Sequence, residues 1–233
     1  MSKTDGGPAA PGVEPDTSLD ALEDRARGLV RPRQRTLLGL TGSPGAGKTT
    51  LAQTLVRRLN QGRPNSSPVA AYLPMDGFHL ANRTLDDLGN HDRKGAVDTF
   101  DGWGFVALLR RLLTEIDHPV YAPSFERTVD EPIAGEISIP GQVPLVVVEG
   151  NYLLVDSSPW DQVKPLLAES WFCVTSEEQR LSRLVDRHAR HGRSAEAAAA
   201  WVAAVDMANA EVIEATLPRA DLLISGEGEP GPR

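Results

Sequence analysis

The segment that decides the fold is Gly42-Ser43-Pro44-Gly45-Ala46-Gly47-Lys48-Thr49, which fits the pattern G-x-x-x-x-G-K-[ST] at every position. Its glycines permit backbone angles that other residues resist, so consecutive N–H groups can turn inward around a phosphate. The apolar run Leu37–Leu40 precedes the segment, and Lys48–Leu59 follows it with leucines on one helical face. A strand before this loop and a helix N-terminus after it are the context in which it holds nucleotide phosphates. The sequence therefore predicts a phosphate-binding loop.

The loop also predicts the ligands. Lys48 is expected to reach the β- and γ-phosphates, and Thr49 to hold Mg²⁺ through its hydroxyl. Glu149 ends the apolar run Val146-Val147-Val148, where a carboxylate faces the crevice at the carboxyl ends of the strands, so it is the candidate second acid of the metal site. ATP and Mg²⁺ are the predicted cofactors, although no motif separates ATP from GTP. The predicted nucleotide-binding residues are Gly42, Ser43, Pro44, Gly45, Ala46, Gly47, Lys48, Thr49 and Thr50.

The composition is that of an ordinary globular protein of 233 residues, with 40% hydrophobic and 24% charged residues. The formal net charge of −8 argues against nucleic acid or an anionic membrane as the main partner. A single cysteine, Cys173, leaves no internal disulfide to form. No stretch is apolar for the length of a membrane span, and the N-terminus lacks an apolar signal core, so we expect a cytoplasmic protein. The oligomeric state stays open, with a homodimer among the alternatives.

The alternation of apolar runs and helical patterns predicts an α/β fold, a P-loop NTPase three-layer sandwich with a mainly parallel five-stranded sheet. Residues 1–17 are predicted to be a disordered tail and residues 18–233 one domain. A substrate-binding region with a hairpin around Pro132–Gly135 is predicted at about 77–142, because that gap is too long for a simple crossover. The predicted strands are Thr36–Thr41, Val69–Leu73, Pro144–Val148, Trp171–Val174 and Asp221–Ser225. The predicted helices are a short one capped by Asp16, Thr17 or Ser18, then Lys48–Leu59, Trp103–Ile116, Ser176–His191 and Ser194–Leu217.

Asp76 is the candidate catalytic carboxylate. It lies in Met75-Asp76-Gly77-Phe78-His79, directly after the second predicted strand and on the same side of the sheet as the phosphate loop. A carboxylate in that position can orient an acceptor hydroxyl and take its proton. An Asp before a Gly is also a common turn residue, and the dipeptide alone leaves both alternatives open.

A row of arginines predicts a lid at about 177–195. Their spacing of three, four, three and three residues would place them on one face of a helix. Such a stripe can close over the triphosphate and stabilise charge on the transferring phosphoryl group, and Arg183 and Arg187 are the catalytic candidates within it. A solvated amphipathic face is the alternative. The stripe consists of Arg180, Arg183, Arg187, Arg190 and Arg193.

The order of these motifs resembles the family of phosphoribulokinase, uridine kinase and type I pantothenate kinase, over about residues 36 to 225. It is most similar to a bacterial branch provisionally labelled nucleoside/nucleotide kinase-like or fructose transport system kinase. The resemblance implies that Asp76 activates the acceptor hydroxyl and that the inserted region carries the substrate. Its other motifs are Arg93-Lys94-Gly95 with Asp98 and Phe100-Asp101, Tyr121, and Val148-Glu149-Gly150-Asn151-Tyr152. The candidate substrate contacts, each with a solvated or structural side chain as the alternative, are His79, Arg93, Lys94, Asp98, Tyr121 and Arg127.

The sequence thus predicts a small-molecule kinase that moves the γ-phosphoryl group of ATP to a hydroxyl. A sugar or a nucleoside is favoured over pantothenate, because the inserted region offers charges of both signs and few large apolar groups, which suits a polyhydroxylated acceptor. Tyr121-Ala122-Pro123 departs both from the Tyr-Asp-Phe of uridine kinases and from the Tyr-Ser-His of pantothenate kinases. The alternative is a P-loop NTPase switch or regulatory nucleotide-binding protein. The Asn-Lys-x-Asp motif of GTPases and the Ser-Gly-Gly signature of ABC-type ATPases do not occur in the sequence.

Overall fold

The strands form a large parallel sheet and a separate hairpin. A computed structural model of the protein describes residues 18–64, 67–190, 194, 196, 200 and 206–226, and of residues 187–190 only the backbone. The strands are β1 (Thr36–Thr41), β2 (Ala70–Pro74), β3 (Val120–Glu126), β4 (Glu131–Ile139), β5 (Leu145–Glu149), β6 (Glu169–Val174) and β7 (Leu222–Ser225). Five of them lie side by side in the order β2-β5-β1-β6-β7 and all run parallel. The other two, β3 and β4, pair antiparallel.

Helices cover both faces of the parallel sheet. Those described are α1 (Leu19–Gly28), α2 (Lys48–Leu59), α3 (Asn82–Leu88), α4 (Gly102–Thr114), α5 (Glu177–Arg190) and α6 (Met207–Glu214). Buried side chains of α1 and α2 pack on one face, and those of α4 and α6 pack on the other. The predicted α/β class with a five-stranded parallel sheet and helices on both faces is confirmed.

Side chains alternate between the two faces of each strand, and this alternation divides the core into two layers. On β1, Leu37 packs in the layer of α4, whereas Leu38 and Leu40 pack in the layer of α1 and α2. On β5, Val146 and Val147 separate in the same way. Successive side chains of a strand point to opposite faces, so a strand with helices on both sides must be apolar throughout. Each fully buried leucine contributes about 1.5–3 kcal/mol relative to exposure.

Most element boundaries agree with the sequence. The bounds of β1 and α2 match the prediction, and β6 begins two residues before the predicted Trp171, at Glu169. Ser18 caps α1, since its side chain accepts a hydrogen bond from the backbone N–H of Ala21 at 3.3 Å. The proposed tail 1–17 and nine residues of the predicted last helix lie outside the described residues. The described part of that helix, α6, ends at Glu214, before the predicted end.

The hairpin exists, but its predicted turn is wrong. The chain reverses at residues 127–130, where Asp130 adopts a φ of 55°, and Pro132 already pairs with Phe125 inside β4. Gly135, with a φ of 70°, lies near the point opposite Pro123 where the register of the two strands shifts. Pro132, which suggested a turn, therefore lies at the start of β4, and Gly135 lies at the irregularity in the pairing of β3 with β4.

Where residues are described, the structure contains no helix with the length and apolar character that crossing a bilayer requires.

Candidate active site

The phosphate loop joins β1 to α2. Gly45 and Gly47 take φ angles of 80° and 89°, which side chains resist, and Lys48 begins the helix directly after them. The Lys48 ammonium is buried and donates a hydrogen bond of 3.1 Å to the carbonyl of Ser43, within the loop itself. Thr49 and Thr50 are exposed at the start of α2. The loop therefore has the backbone shape that its glycines predict.

Glu149 lies beside this loop at the carboxyl end of β5. Its Oε2 accepts hydrogen bonds from the Thr49 hydroxyl at 3.2 Å and from the Tyr72 hydroxyl at 2.8 Å. Burial raises the pKa of Glu149, the Lys48 ammonium opposes the rise, and the charge of Asp76 adds to it. Burial and the charge of Glu149 likewise raise the pKa of Tyr72, so this phenol remains a hydrogen-bond donor. In the sequence, only its place within the predicted second strand marked Tyr72.

Asp76 lies one strand further along the same edge of the sheet. Pro74, the last residue of β2, pairs in register with Glu149, and Asp76 follows in the 3₁₀ helix Met75–Phe78. Its Oδ2 accepts a hydrogen bond of 3.0 Å from Arg127, next to the hairpin turn. The structure thus brings together Asp76, Glu149 and the phosphate loop, as their positions at strand ends predict.

Gly77 explains how the hairpin approaches Asp76. A Cβ on Gly77 would lie 2.1 Å from the carbonyl oxygen of Pro123, which no side chain permits. The backbone of β3 therefore contacts the segment that carries Asp76. Since Arg127 follows directly after β3, this contact brings Arg127 close to the carboxylate. In the sequence, only the glycine after Asp76 indicated a close approach of another backbone segment.

Lys94 does not face an open pocket. Its ammonium donates to Asn82 Oδ1 at 2.6 Å, to Asp130 Oδ2 at 3.0 Å and to the Asp130 carbonyl, and it lies 5.1 Å from the centre of the Phe125 ring. Only 7% of the side chain is exposed. All three N–H donors are thus used by the protein, which favours a structural role, and the predicted contact with the acceptor stays a prediction.

Three other candidate substrate residues lie on exposed parts of the inserted region. Arg93 and Asp98 form an ion pair with each other, and both side chains are about half exposed. Tyr121 is 58% exposed on β3, opposite Ser138. For these residues the predicted contact with the acceptor stays a prediction.

His79 lies in an aromatic environment. Its ring stacks on Phe100 with 4.0 Å between the ring centres and lies 4.7 Å from the centre of Phe125. Burial lowers the pKa of His79 to about 4, so the ring is neutral at neutral pH. Its Nδ1 is buried and has no hydrogen-bond partner in the described part of the chain. A buried ring nitrogen without a partner can bind a polar group of a ligand.

Two arginines of the predicted stripe, Arg180 and Arg183, have described side chains. Arg183 donates to the carbonyls of Gly45 and Gly226, each at 3.3 Å, and so lies against the phosphate loop. Arg180 is buried instead of exposed, and its guanidinium pairs with Glu214 of α6. The side chain of Arg187, like those of Arg190 and Arg193, lies outside the described residues. The alternative of a solvated face does not hold at Arg180, because packing against α6 buries it. The prediction of a positive stripe that closes over the triphosphate stays a prediction.

The donor set fits Mg²⁺. In the described residues no three His, Cys, Asp or Glu side chains converge on a point that could hold a metal ion. Mg²⁺ bound with a nucleotide takes one or two protein oxygens and completes its shell with phosphates and water. Thr49 and Glu149, whose side-chain oxygens lie 3.2 Å apart, supply that kind of donor pair next to the loop.

A phosphate loop between the first strand and helix, with acids at the carboxyl ends of neighbouring parallel strands, defines a P-loop NTPase fold. A sequence profile of the phosphoribulokinase / uridine kinase family matches residues 37–229, and the chain belongs to this family. The predicted resemblance is confirmed.

Comparisons with individual proteins support the same family assignment. The chain is 32% identical over 214 residues to a Schizosaccharomyces pombe protein provisionally named uridine kinase, covering 89% of this chain and 90% of that protein. A Silicibacter sp. TM1040 structure provisionally assigned as a fructose transport system kinase has a TM-score of 0.80 and 37% identity, covering 89% of this chain and 99% of the other. A Saccharomyces cerevisiae structure provisionally assigned as a P-loop containing kinase with a circular permutation has a TM-score of 0.76 at 20% identity, covering 89% of this chain and 98% of the other, which shows the fold alone. The predicted class, a P-loop kinase, is confirmed.

Proposed function

We propose that this kinase transfers the γ-phosphoryl group of ATP to a hydroxyl of a small metabolite, with a sugar or a nucleoside favoured over pantothenate. The observation that carries the proposal is the position of Asp76 beside Glu149 and the phosphate loop, at the carboxyl ends of paired strands. A cytoplasmic location, a homodimer and the absence of nucleic-acid partners stay predictions.

The proposed roles follow from the chemistry of phosphoryl transfer. The proton of the acceptor hydroxyl goes to Asp76, the hydroxyl oxygen bonds to the γ-phosphorus, and the bond to the β–γ bridging oxygen breaks to release ADP. Lys48 turns from the Ser43 carbonyl to the β- and γ-phosphates. Thr49 and Glu149 hold Mg²⁺, which neutralises triphosphate charge when it is bound. Arg183, already against the loop, stabilises the charge on the transferring group, and Arg187 stays a candidate for the same role.

The acceptor side is built from the hairpin and the aromatic cluster next to it. Arg127 orients the Asp76 carboxylate through a 3.0 Å hydrogen bond, and His79 offers a neutral nitrogen. The half-buried Phe125 ring beside His79 adds apolar contact, and the charges of both signs favour a ligand with many hydroxyl groups. These features suit a sugar or nucleoside better than a lipid or a protein.

The test is acceptor-dependent ADP release with Mg²⁺ and ATP, over a panel of sugars, nucleosides and pantothenate. Asp76→Asn retains the shape of the side chain but removes the proton acceptor, so we expect kcat to fall by about 10²-fold or more while ATP still binds. Asp87→Asn is the matched control, because Asp87 is an exposed carboxylate on α3 in the same inserted region. A near-normal rate in Asp76→Asn would refute the assignment of the base. Slow hydrolysis that no acceptor accelerates would favour a nucleotide switch instead.

A further inference from the structure

Glu214, the last residue of α6, connects the phosphate loop to the candidate lid helix. One carboxylate oxygen, Oε1, accepts a hydrogen bond from the Ser43 hydroxyl at 3.0 Å and pairs with Nη2 of Arg180, also at 3.0 Å. Ser43 belongs to the loop and Arg180 to α5. This one oxygen therefore connects the loop, α5 and α6. Because both contacts are to the same atom, the Arg180 guanidinium also lies close to the Ser43 hydroxyl.

Arg180 has capacity for a further anion. Its side chain is 6% exposed, and its Nε is buried without a hydrogen-bond partner in the described residues. The backbone of Arg180 also contacts the loop, since a Cβ on Gly45 would lie 2.8 Å from the Arg180 carbonyl oxygen. A buried guanidinium with an unused donor next to a phosphate site attracts phosphate unless another anion occupies it.

Glu214 is that other anion, and it lies at the protein surface. Its side chain is 51% exposed, and a cavity of about 240 Å³ lined by Ser43, Arg180 and Glu214 lies beside it. A carboxylate in contact with the phosphate loop repels the triphosphate, and it also pairs with the buried guanidinium of Arg180. Nucleotide binding is therefore more favourable once this carboxylate releases Arg180.

We propose that Glu214 is an internal counter-ion that competes with the nucleotide phosphates for Arg180 and Ser43, and so sets the affinity of the kinase for its nucleotide. The inference rests on the proposed function only in requiring that the loop binds a nucleoside triphosphate. It makes Glu214 a positioning residue with two opposite effects. Glu214 stabilises the nucleotide-free protein by pairing a buried charge, and it weakens nucleotide binding.

The experiment measures ATP affinity by calorimetry and the melting temperature with and without ATP. Glu214→Gln retains the shape of the side chain and removes its charge, so we expect ATP to bind about fivefold tighter or more. The melting temperature without ATP should fall, and ATP should raise it by more than it does in the wild type. Glu211→Gln is the matched control, being the same change at an exposed position on the same helix. It should leave both quantities unchanged.

A double variant separates competition from a merely structural role. If Glu214 acts by occupying Arg180, the gain in ATP affinity must disappear when Glu214→Gln is combined with Arg180→Gln. Equal falls in melting temperature with and without ATP, or unchanged affinity in Glu214→Gln, would overturn the inference and leave the proposed function intact. Wild-type protein that binds no ATP would overturn both.

Discussion

Replacing Lys94 by Met separates two roles that the sequence alone could not. If Lys94 fastens the hairpin, the change should destabilise the protein, whereas a substrate ligand should affect only acceptor binding. The methionine can still pack on the ring of Phe125, so the hydrophobic contact of the lysine stem is retained. What is lost is the set of charge-assisted hydrogen bonds to Asn82 and Asp130.

The magnitude follows from burial. Hydrogen bonds to a charged group contribute about 1.5–3 kcal/mol each, but the desolvation of a buried ammonium offsets part of this sum. Asp130 is 57% exposed and is hydrated again once the lysine is gone, so it adds no large penalty. We therefore expect Lys94→Met to lower the free energy of unfolding by about 2 kcal/mol, or about 4–8 °C in melting temperature for a domain of this size.

The assay is urea denaturation of Lys94→Met next to Arg93→Met. Arg93 is the adjacent residue, and its ion pair with Asp98 has both side chains about half exposed, so its loss should cost less than about 0.5 kcal/mol. The KM for the acceptor should also rise in Lys94→Met, because the loosened hairpin carries Arg127. Full stability combined with lost acceptor binding would refute this reasoning and restore Lys94 as a substrate ligand.

Three further outcomes are expected. Gly77→Ala should lower the free energy of unfolding by about 1–3 kcal/mol in urea denaturation, because its Cβ collides with the Pro123 carbonyl; unchanged stability would contradict that contact. Wild-type protein should lose roughly 2 kcal/mol of stability between pH 7 and 5 that His79→Phe does not lose. The unfolded histidine takes a proton near 6.5 and the folded one only near 4, so the loss grows as pH falls and stops below about 4. Arg183→Met should lower kcat about tenfold or more with a nearly unchanged melting temperature; the reverse result would indicate a structural arginine.

The part of the site that the sequence predicts best is the part that local patterns build. The bounds of β1 and α2 follow from an apolar run, a glycine-rich loop and a leucine period, and each of these signals lies within a few residues of what it predicts. Glu149 and Asp76 could be placed beside the loop because both end parallel strands, whose carboxyl ends share one edge.

Charged side chains in the inserted region and on α5 could not be assigned in the same way. In the sequence, Lys94 and Arg180 cannot be distinguished from solvated or ligand-binding cations. In the structure, each is buried against a partner that is distant in the chain. Those partners, Asp130 and Glu214, lie 36 and 34 residues away, and no periodicity connects them to the cations. The helical spacing of the arginines could be read from the sequence, but the burial of Arg180 depends on its ion pair with Glu214 of α6.

Tyr121-Ala122-Pro123 departs from the patterns of uridine and pantothenate kinases, and the structure explains what this segment does instead. Ala122 is fully buried and offers no polar side-chain atom, and the carbonyl of Pro123 contacts Gly77. Tyr121 alternates with Ala122 and is exposed on the other face of the hairpin. Strand β3 therefore supplies backbone to the Asp76 segment instead of polar contacts at these two positions. Arg127, in the turn that follows, contacts Asp76, so acceptor screening should follow the effects of changes at Arg127.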